Sequence, residues 1–208
     1  MMAPLDFARD YIFRWEDGKQ SDPARTHSMV AADPGNWSGG QVNKGVLIGS
    51  NHGVTPMALA VHRKVPVSAI TVAVMHALTI DEAAGIALDN FYFAPRLDLL
   101  TWSAPAAIVM DAGWGMGTVQ AIKLVQRMLD VSPDGQLGQA TAAPFNALLT
   151  KTGPEFVAGA LWTIRDTFYE QLIAAKPSLG QFQRGWDNRS AYFTPGDPEG
   201  WWARFHAN

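Results

Sequence analysis

At 208 residues, 48% of them hydrophobic and with a formal net charge of −3, the chain suits one globular unit or two small lobes sharing a core. That balance offers no basic face for nucleic acid, and the absence of cysteine excludes disulfides, thiolate metal sites and cysteine nucleophiles. The longest apolar stretches, 65–78 and 99–110, fall short of the ~20 residues that span a bilayer, so no stable membrane insertion is expected.

The first predicted element is an amphipathic helix over 4–16, with Phe7, Tyr11, Ile12 and Trp15 recurring at helical spacing and Glu16 closing it before Gly18 breaks the pattern. Residues 17–55 are rich in Gly, Asn, Ser, Asp and Pro and read as an ordered loop region with a short hairpin, anchored by Val42, Val46, Leu47 and Ile48. A helix follows from Pro56 to Lys64, then an apolar helix or buried strand over 67–77. Thr79 and Glu82 have capping-box spacing and start a helix to about Asn90. Two buried helices, 104–111 and 118–129, are joined by a glycine turn over 113–117, and Ser132-Pro133-Asp134-Gly135 is a tight turn. Helices over 140–149 and 155–175 come next, the latter with Phe156, Ala160, Trp162, Ile164 and Phe168 as core candidates. The tail, 194–208, carries Pro195, Gly196, Pro198 and Gly200 and reads as loosely attached. There is no internal repeat and no low-complexity linker.

A carboxyl at the end of an apolar helix, facing an irregular loop, can hold its proton near neutral pH and act as a general acid. Glu16 fits that position. Acid-catalysed glycoside cleavage also needs a group for the water or the cationic sugar. Asp33, Asp22 and the hydroxyl of Ser50 lie in the loop that follows. Eight tryptophans are scattered along the chain, and Trp37 and Trp114 sit among glycines, where an indole face can stack on a sugar. The five histidines include no pair at three or four residues on one helix, so no metal site and no cofactor are expected. His52 alone lies inside the glycine-framed segment. The 113–117 glycines fit neither phosphate-binding fingerprint, and no Gly-x-Ser-x-Gly elbow is present.

Several motifs follow one another along the chain: Phe7…Trp15-Glu16-Asp17-Gly18; Asp33-Pro34-Gly35…Gly39-Gly40; Gly49-Ser50-Asn51-His52-Gly53-Val54; and Thr79-Ile80-Asp81-Glu82-Ala83. They continue with Asp111-Ala112, Val125-Gln126-Arg127, Val131…Asp134-Gly135…Gly138…Thr141 and Gly185-Trp186-Asp187-Asn188-Arg189. In this order they resemble the glycoside hydrolase family 108 lysozymes, phage and prophage N-acetylmuramidases with a C-terminal predicted peptidoglycan-binding region. The resemblance covers about residues 6–189. Four positions depart from it. Asp17 stands for a glycine and places a second carboxylate beside Glu16, which would raise the Glu16 pKa. Ser50 stands for threonine, His52 for an aromatic, and Gly115 for an asparagine that supplies a cleft hydrogen bond.

The resemblance implies a mainly α, lysozyme-like fold, with a loop-rich or short β-hairpin segment in the N-terminal lobe. The implied division is a catalytic lobe over 1–95, a helical peptidoglycan-binding region over 96–193 and a tail over 194–208. The implied reaction cleaves the β-1,4 bond between N-acetylmuramic acid and N-acetylglucosamine. Glu16 is then the general acid, with Asp33 or Ser50 as the second group and Trp37, His52, Trp114, Trp186 and Asn188 as substrate contacts. A lytic transglycosylase and a non-catalytic peptidoglycan-binding protein are the alternatives. The expected partner is the glycan strand, without nucleic acid, and the expected state is a monomer. The N-terminus lacks the basic start and apolar core of a signal peptide. The expected route is therefore synthesis in the bacterial cytoplasm and holin-mediated release to the wall.

Overall fold

A computed structural model describes residues 1–19 and 22–207; residues 20 and 21 of the predicted loop and residue 208 of the predicted tail lie outside it. The chain forms two compact units, Leu5–Asn90 and a second built from Met1–Pro4 with the chain from Phe91 onward. The architecture is mainly α, as expected. Among the described residues the only β pairing is isolated bridges.

In the Leu5–Asn90 unit, α1 (Pro4–Tyr11) buries Phe7, Ala8 and Tyr11. The chain then continues as a π-helical turn over Ile12–Glu16, closed by the Asp17 N–H donating to the Ile12 carbonyl at 2.9 Å. The single helix expected over 4–16 is thus two windings, an α-helix and a π-helical turn. Glu16 is exposed and Asp17 is buried. A short helix, α2 (Pro23–Thr26), and a 3₁₀ turn, Pro34–Asn36, interrupt the loop region. The expected hairpin is reduced to bridges at Ser28–Ser50 and Trp37–Leu47.

Three helices complete this unit, each started by a threonine hydroxyl that accepts a backbone N–H in the first turn. They are α3 (Pro56–Arg63, capped by Thr55), α4 (Val72–His76, capped by Thr71) and α5 (Ile80–Leu88, capped by Thr79). The apolar 67–77 stretch divides into a 3₁₀ turn, Val67–Ala69, and α4. Glu82, the predicted reciprocal partner of Thr79, instead gives its carboxylate to Arg63, which holds both oxygens at 2.7 Å. Arg9 ties α1 to the start of α5 through Asp81 at 2.6 Å. A second π-helical turn, Asp89–Phe93, leads out.

In the second unit, α6 (Ala104–Met116) is buried from Ala104 to Gly113 and packs against α7 (Thr118–Met128) and α9 (Pro154–Ala175), with α8 (Gln139–Thr152) also on α9. The glycine turn expected over 113–117 shrinks to Gly117 alone, at φ +87°. Gly113 is helical and buried, and a Cβ there would come within 3.3 Å of the Thr118 methyl, so its smallness suits the close approach of the next helix.

The buried face of α9 is Val157, Ala158, Leu161, Arg165 and Tyr169, not the stripe expected from Phe156 and Trp162, which are 59% and 38% exposed. Hydrophobic periodicity misses this face because its centre is a buried arginine. The Asp134-Gly135…Gly138…Thr141 motif wraps around Gln126, whose amide donates to Asp134, the Gln136 carbonyl and Thr141 and accepts from the Gly135 N–H.

The tail is not loosely attached. After α10 (Gln183–Tyr192), α11 (Trp201–Ala207) buries Trp201, Trp202 and Phe205, and the Phe205 carbonyl accepts from the Met2 N–H at 2.7 Å. Aromatics at helical spacing outweigh the Pro and Gly residues before them. Among the described residues no helix is long and apolar enough to cross a membrane.

Candidate active site

Glu16 ends the π-helical turn and lies against the tip of a tight turn, Asn51–Val54. That turn is closed by hydrogen bonds in both directions between Asn51 and Val54, at 3.1 and 2.8 Å. Its two central residues both have positive φ, +52° at His52 and +73° at Gly53, the conformation of the tightest hairpin connections. Gly53 is required twice over. Its φ disfavours a side chain, and a Cβ would come within 3.0 Å of Glu16 Oε2 and 3.1 Å of Glu16 Cγ.

The turn is fixed from two other directions. Asn51 is fully buried and its amide donates to the Met75 carbonyl at 2.8 Å, anchoring the turn to α4. His52 is 8% exposed, and its Nδ1 lies 2.7 Å from Asp17 Oδ2. Burial raises the Asp17 pKa, while the hydrogen bond and charge of His52 pull it back. Two consecutive residues of the helix end therefore face the two central residues of the turn: Glu16 meets Gly53, and Asp17 meets His52. The second carboxylate expected beside Glu16 points into the interior instead.

The other predicted residues of this unit fall nearby in sequence with different duties. The Ser50 backbone pairs both ways with Ser28, at 2.7 and 3.0 Å, one residue before the turn. Asp33 is exposed and caps the Pro34–Asn36 turn, its Oδ1 accepting from the Gly35 N–H at 2.8 Å. Asp22 is exposed, and its carbonyl accepts from the Arg25 and Thr26 N–H groups at the start of α2. Trp37 is partly exposed and its indole N–H donates to the Ala31 carbonyl at 2.8 Å.

In the other unit, Trp114 stacks on Phe91 with ring centroids 4.6 Å apart, and Trp186 stacks on Tyr169 at 4.5 Å. Asn188 is exposed on α10. Sequence reasoning passed over the charge cluster beneath them. Asp111 is fully buried, with Arg165 at 2.6 Å and Arg189 at 2.8 Å. Burial pushes the Asp111 carboxyl up to about 6, against the pull of Arg165, so it is still ionised at neutral pH. Burial lowers Arg189 to about 10, which leaves it protonated. The signal for this cluster was the pairing of two distant motifs, Asp111-Ala112 and Gly185…Arg189. At Gly115, a Cβ would sit 3.6 Å from the Arg189 guanidinium, so a longer side chain there would cover that group. Among the described residues no group of three or more histidines and carboxylates could hold a metal ion.

No curated protein matches the chain. Among solved structures it is similar to Brucella abortus SagA, at 20% identity and a TM-score of 0.60, with 91% of each chain covered, a likeness of fold. Residues 120–191 match the family described as Predicted Peptidoglycan domain. Residues 9–117, more than half of the chain and inclusive of Glu16 and its turn, match Glycosyl hydrolase 108. The chain belongs to the glycosyl hydrolase 108 family and is a glycoside hydrolase that acts on peptidoglycan.

Proposed function

We propose that the chain is an N-acetylmuramidase with Glu16 as its general acid, cleaving the β-1,4 bond between N-acetylmuramic acid and N-acetylglucosamine. The observation that carries this reading is the seat of Glu16: an exposed carboxyl at a π-wound helix end, resting on a glycine that leaves no room for a side chain. Its neighbour Asp17 is withdrawn into the interior, so Glu16 is the one of the pair that faces outward, where a carboxyl can protonate a leaving oxygen. Of the two candidates for the second group, Ser50 is preferred. Asp33 Oδ1 is committed to the Gly35 N–H, whereas the Ser50 backbone is pinned beside the turn. Trp37 is proposed to stack on the glycan near the bond cleaved, Trp114 to contact it from the end of the glycosyl hydrolase region, and Trp186 and Asn188 from the peptidoglycan-domain region. The proposed setting is lysis by a phage or prophage endolysin, which rests on the family resemblance.

Mass spectrometry of fragments released from purified sacculi tests the reaction. Reducing N-acetylmuramic acid ends are expected. Anhydro ends would make the chain a transglycosylase, and bound sacculi without fragments would make it a binding module. Gly53→Ala tests the seat of the acid. The strained φ costs about 1 kcal/mol of stability, and the added methyl displaces the carboxyl, so kcat is expected to fall about tenfold or more. An unchanged kcat would mean that the turn does not position Glu16.

A further inference from the structure

We infer that Asp17 and His52 form a positioning pair for Glu16: the Asp17–His52 hydrogen bond clamps the helix end that carries Glu16 onto the turn against which its carboxyl rests. This rests on the general-acid reading above and adds two residues to it.

The geometry is specific. The Asp17 side chain is 1% exposed and that of His52 is 9% exposed, so the 2.7 Å contact lies inside the unit and away from competing water. An ionised Asp17 can only accept, so His52 Nδ1 carries the shared proton. The Asp17 Oδ2–His52 bond is the one that holds this carboxylate, since its Oδ1 is buried with no partner. Removing the imidazole would leave a buried carboxylate with nothing on either oxygen, a costly arrangement that the chain relieves by moving the helix end.

Movement there is transmitted at once. Glu16 and Asp17 are adjacent in the chain, as are His52 and Gly53, and Glu16 Oε2 already sits within 3.0 Å of where a Gly53 Cβ would be. The helix end is wound as a π-turn and followed by Gly18 and Lys19 at φ +59° and +65°, and its ladder ends with the Asp17 N–H on the Ile12 carbonyl and the Lys19 N–H on the Phe13 carbonyl. The turn has its own anchor, Asn51 to Met75, but that bond fixes only one side. The Asp17–His52 bond joins the two backbones against which the Glu16 carboxyl lies. Asp17 and His52 are also two of the four departures from the family pattern. A glycine and an aromatic could not make this bond, and each replacement by itself would bury a polar group without its partner.

The pair touches no reacting atom, so its effect should fall on kcat and not on KM. Asp17→Ala and His52→Ala are each expected to lower kcat on purified peptidoglycan about ten- to a hundredfold, with KM within about twofold of wild type. The double variant is expected to be no worse than the worse single, because both remove the same bond. Asp17→Asn, which can still accept from Nδ1, is expected to recover most of the rate and keeps the test valid if an alanine variant fails to fold. Single variants with wild-type kcat, or effects that multiply in the double, would overturn the proposal. Glu16→Gln run in parallel separates the two failures. If it is inactive while both alanine variants keep wild-type kcat, the acid stands and the clamp falls. If Glu16→Gln itself keeps wild-type kcat, the general-acid reading falls and the pair has no acid to position.

Discussion

Glu16→Gln is expected to lower the rate of glycan cleavage by at least about a hundredfold, the usual contribution of a positioned general acid, while leaving the fold intact. The substitution is isosteric and the residue is exposed. Stability should change by less than about 0.5 kcal/mol, as for other surface substitutions. The loss should appear in kcat, because glutamine can still hydrogen-bond the glycosidic oxygen but cannot deliver a proton to it. Fragment release followed by mass spectrometry, beside a thermal melt of the same preparation, checks both halves. A folded variant with near-normal release would remove Glu16 from the chemistry and move the search for the acid elsewhere in the 9–117 region.

The second large effect is on stability and lies far from the acid in sequence. Asp111→Ala removes the one carboxylate that sits between Arg165 and Arg189 at 2.6 and 2.8 Å, and Arg165 is 2% exposed. Two protonated guanidinium groups would then share an interior that no longer holds their common anion. Breaking a buried ion pair by deleting one partner costs about 3–5 kcal/mol, which corresponds to a fall in melting temperature on the order of 10 °C. Six of the eight tryptophans lie in the Phe91-onward unit, so tryptophan fluorescence during urea unfolding reports chiefly on it. A midpoint within experimental error of wild type would mean that the cluster is not what holds α6, α9 and α10 together.

Asp111 also explains how the two motifs that carried the resemblance in the C-terminal half are related. Read along the chain, Asp111-Ala112 and Gly185…Arg189 are separate signatures. In the fold Arg189 donates to Asp111, so they are two ends of one ion pair. The Asp134-Gly135…Thr141 motif is likewise a shell around Gln126. These signatures therefore mark interior polar contacts of the unit, and Trp186, inside the last of them, packs on Tyr169.

The residues that the sequence placed well are those whose behaviour is local. Threonines at positions 55 and 79 and apolar residues at helical spacing act through neighbours a few residues away. Helical identity, most helix starts and the position of Glu16 at a helix end follow from them. The winding of that end did not, because an α-turn and a π-turn share the same apolar pattern. Nor did the inward turn of Asp17, the buried stripe of α9 or the docking of α11. Each depends on a partner 35 or more residues away: His52 for Asp17, Asp111 for Arg165, Met2 for Phe205. Periodicity treats a charged residue as solvent-facing, and only the folded chain shows which charges have a partner that makes burial tolerable. The sequence by itself determined a helical chain with one well-placed carboxyl at a helix end. The tertiary structure decided which of two adjacent carboxylates faces outward, because that choice is made by a histidine brought to it from across the unit.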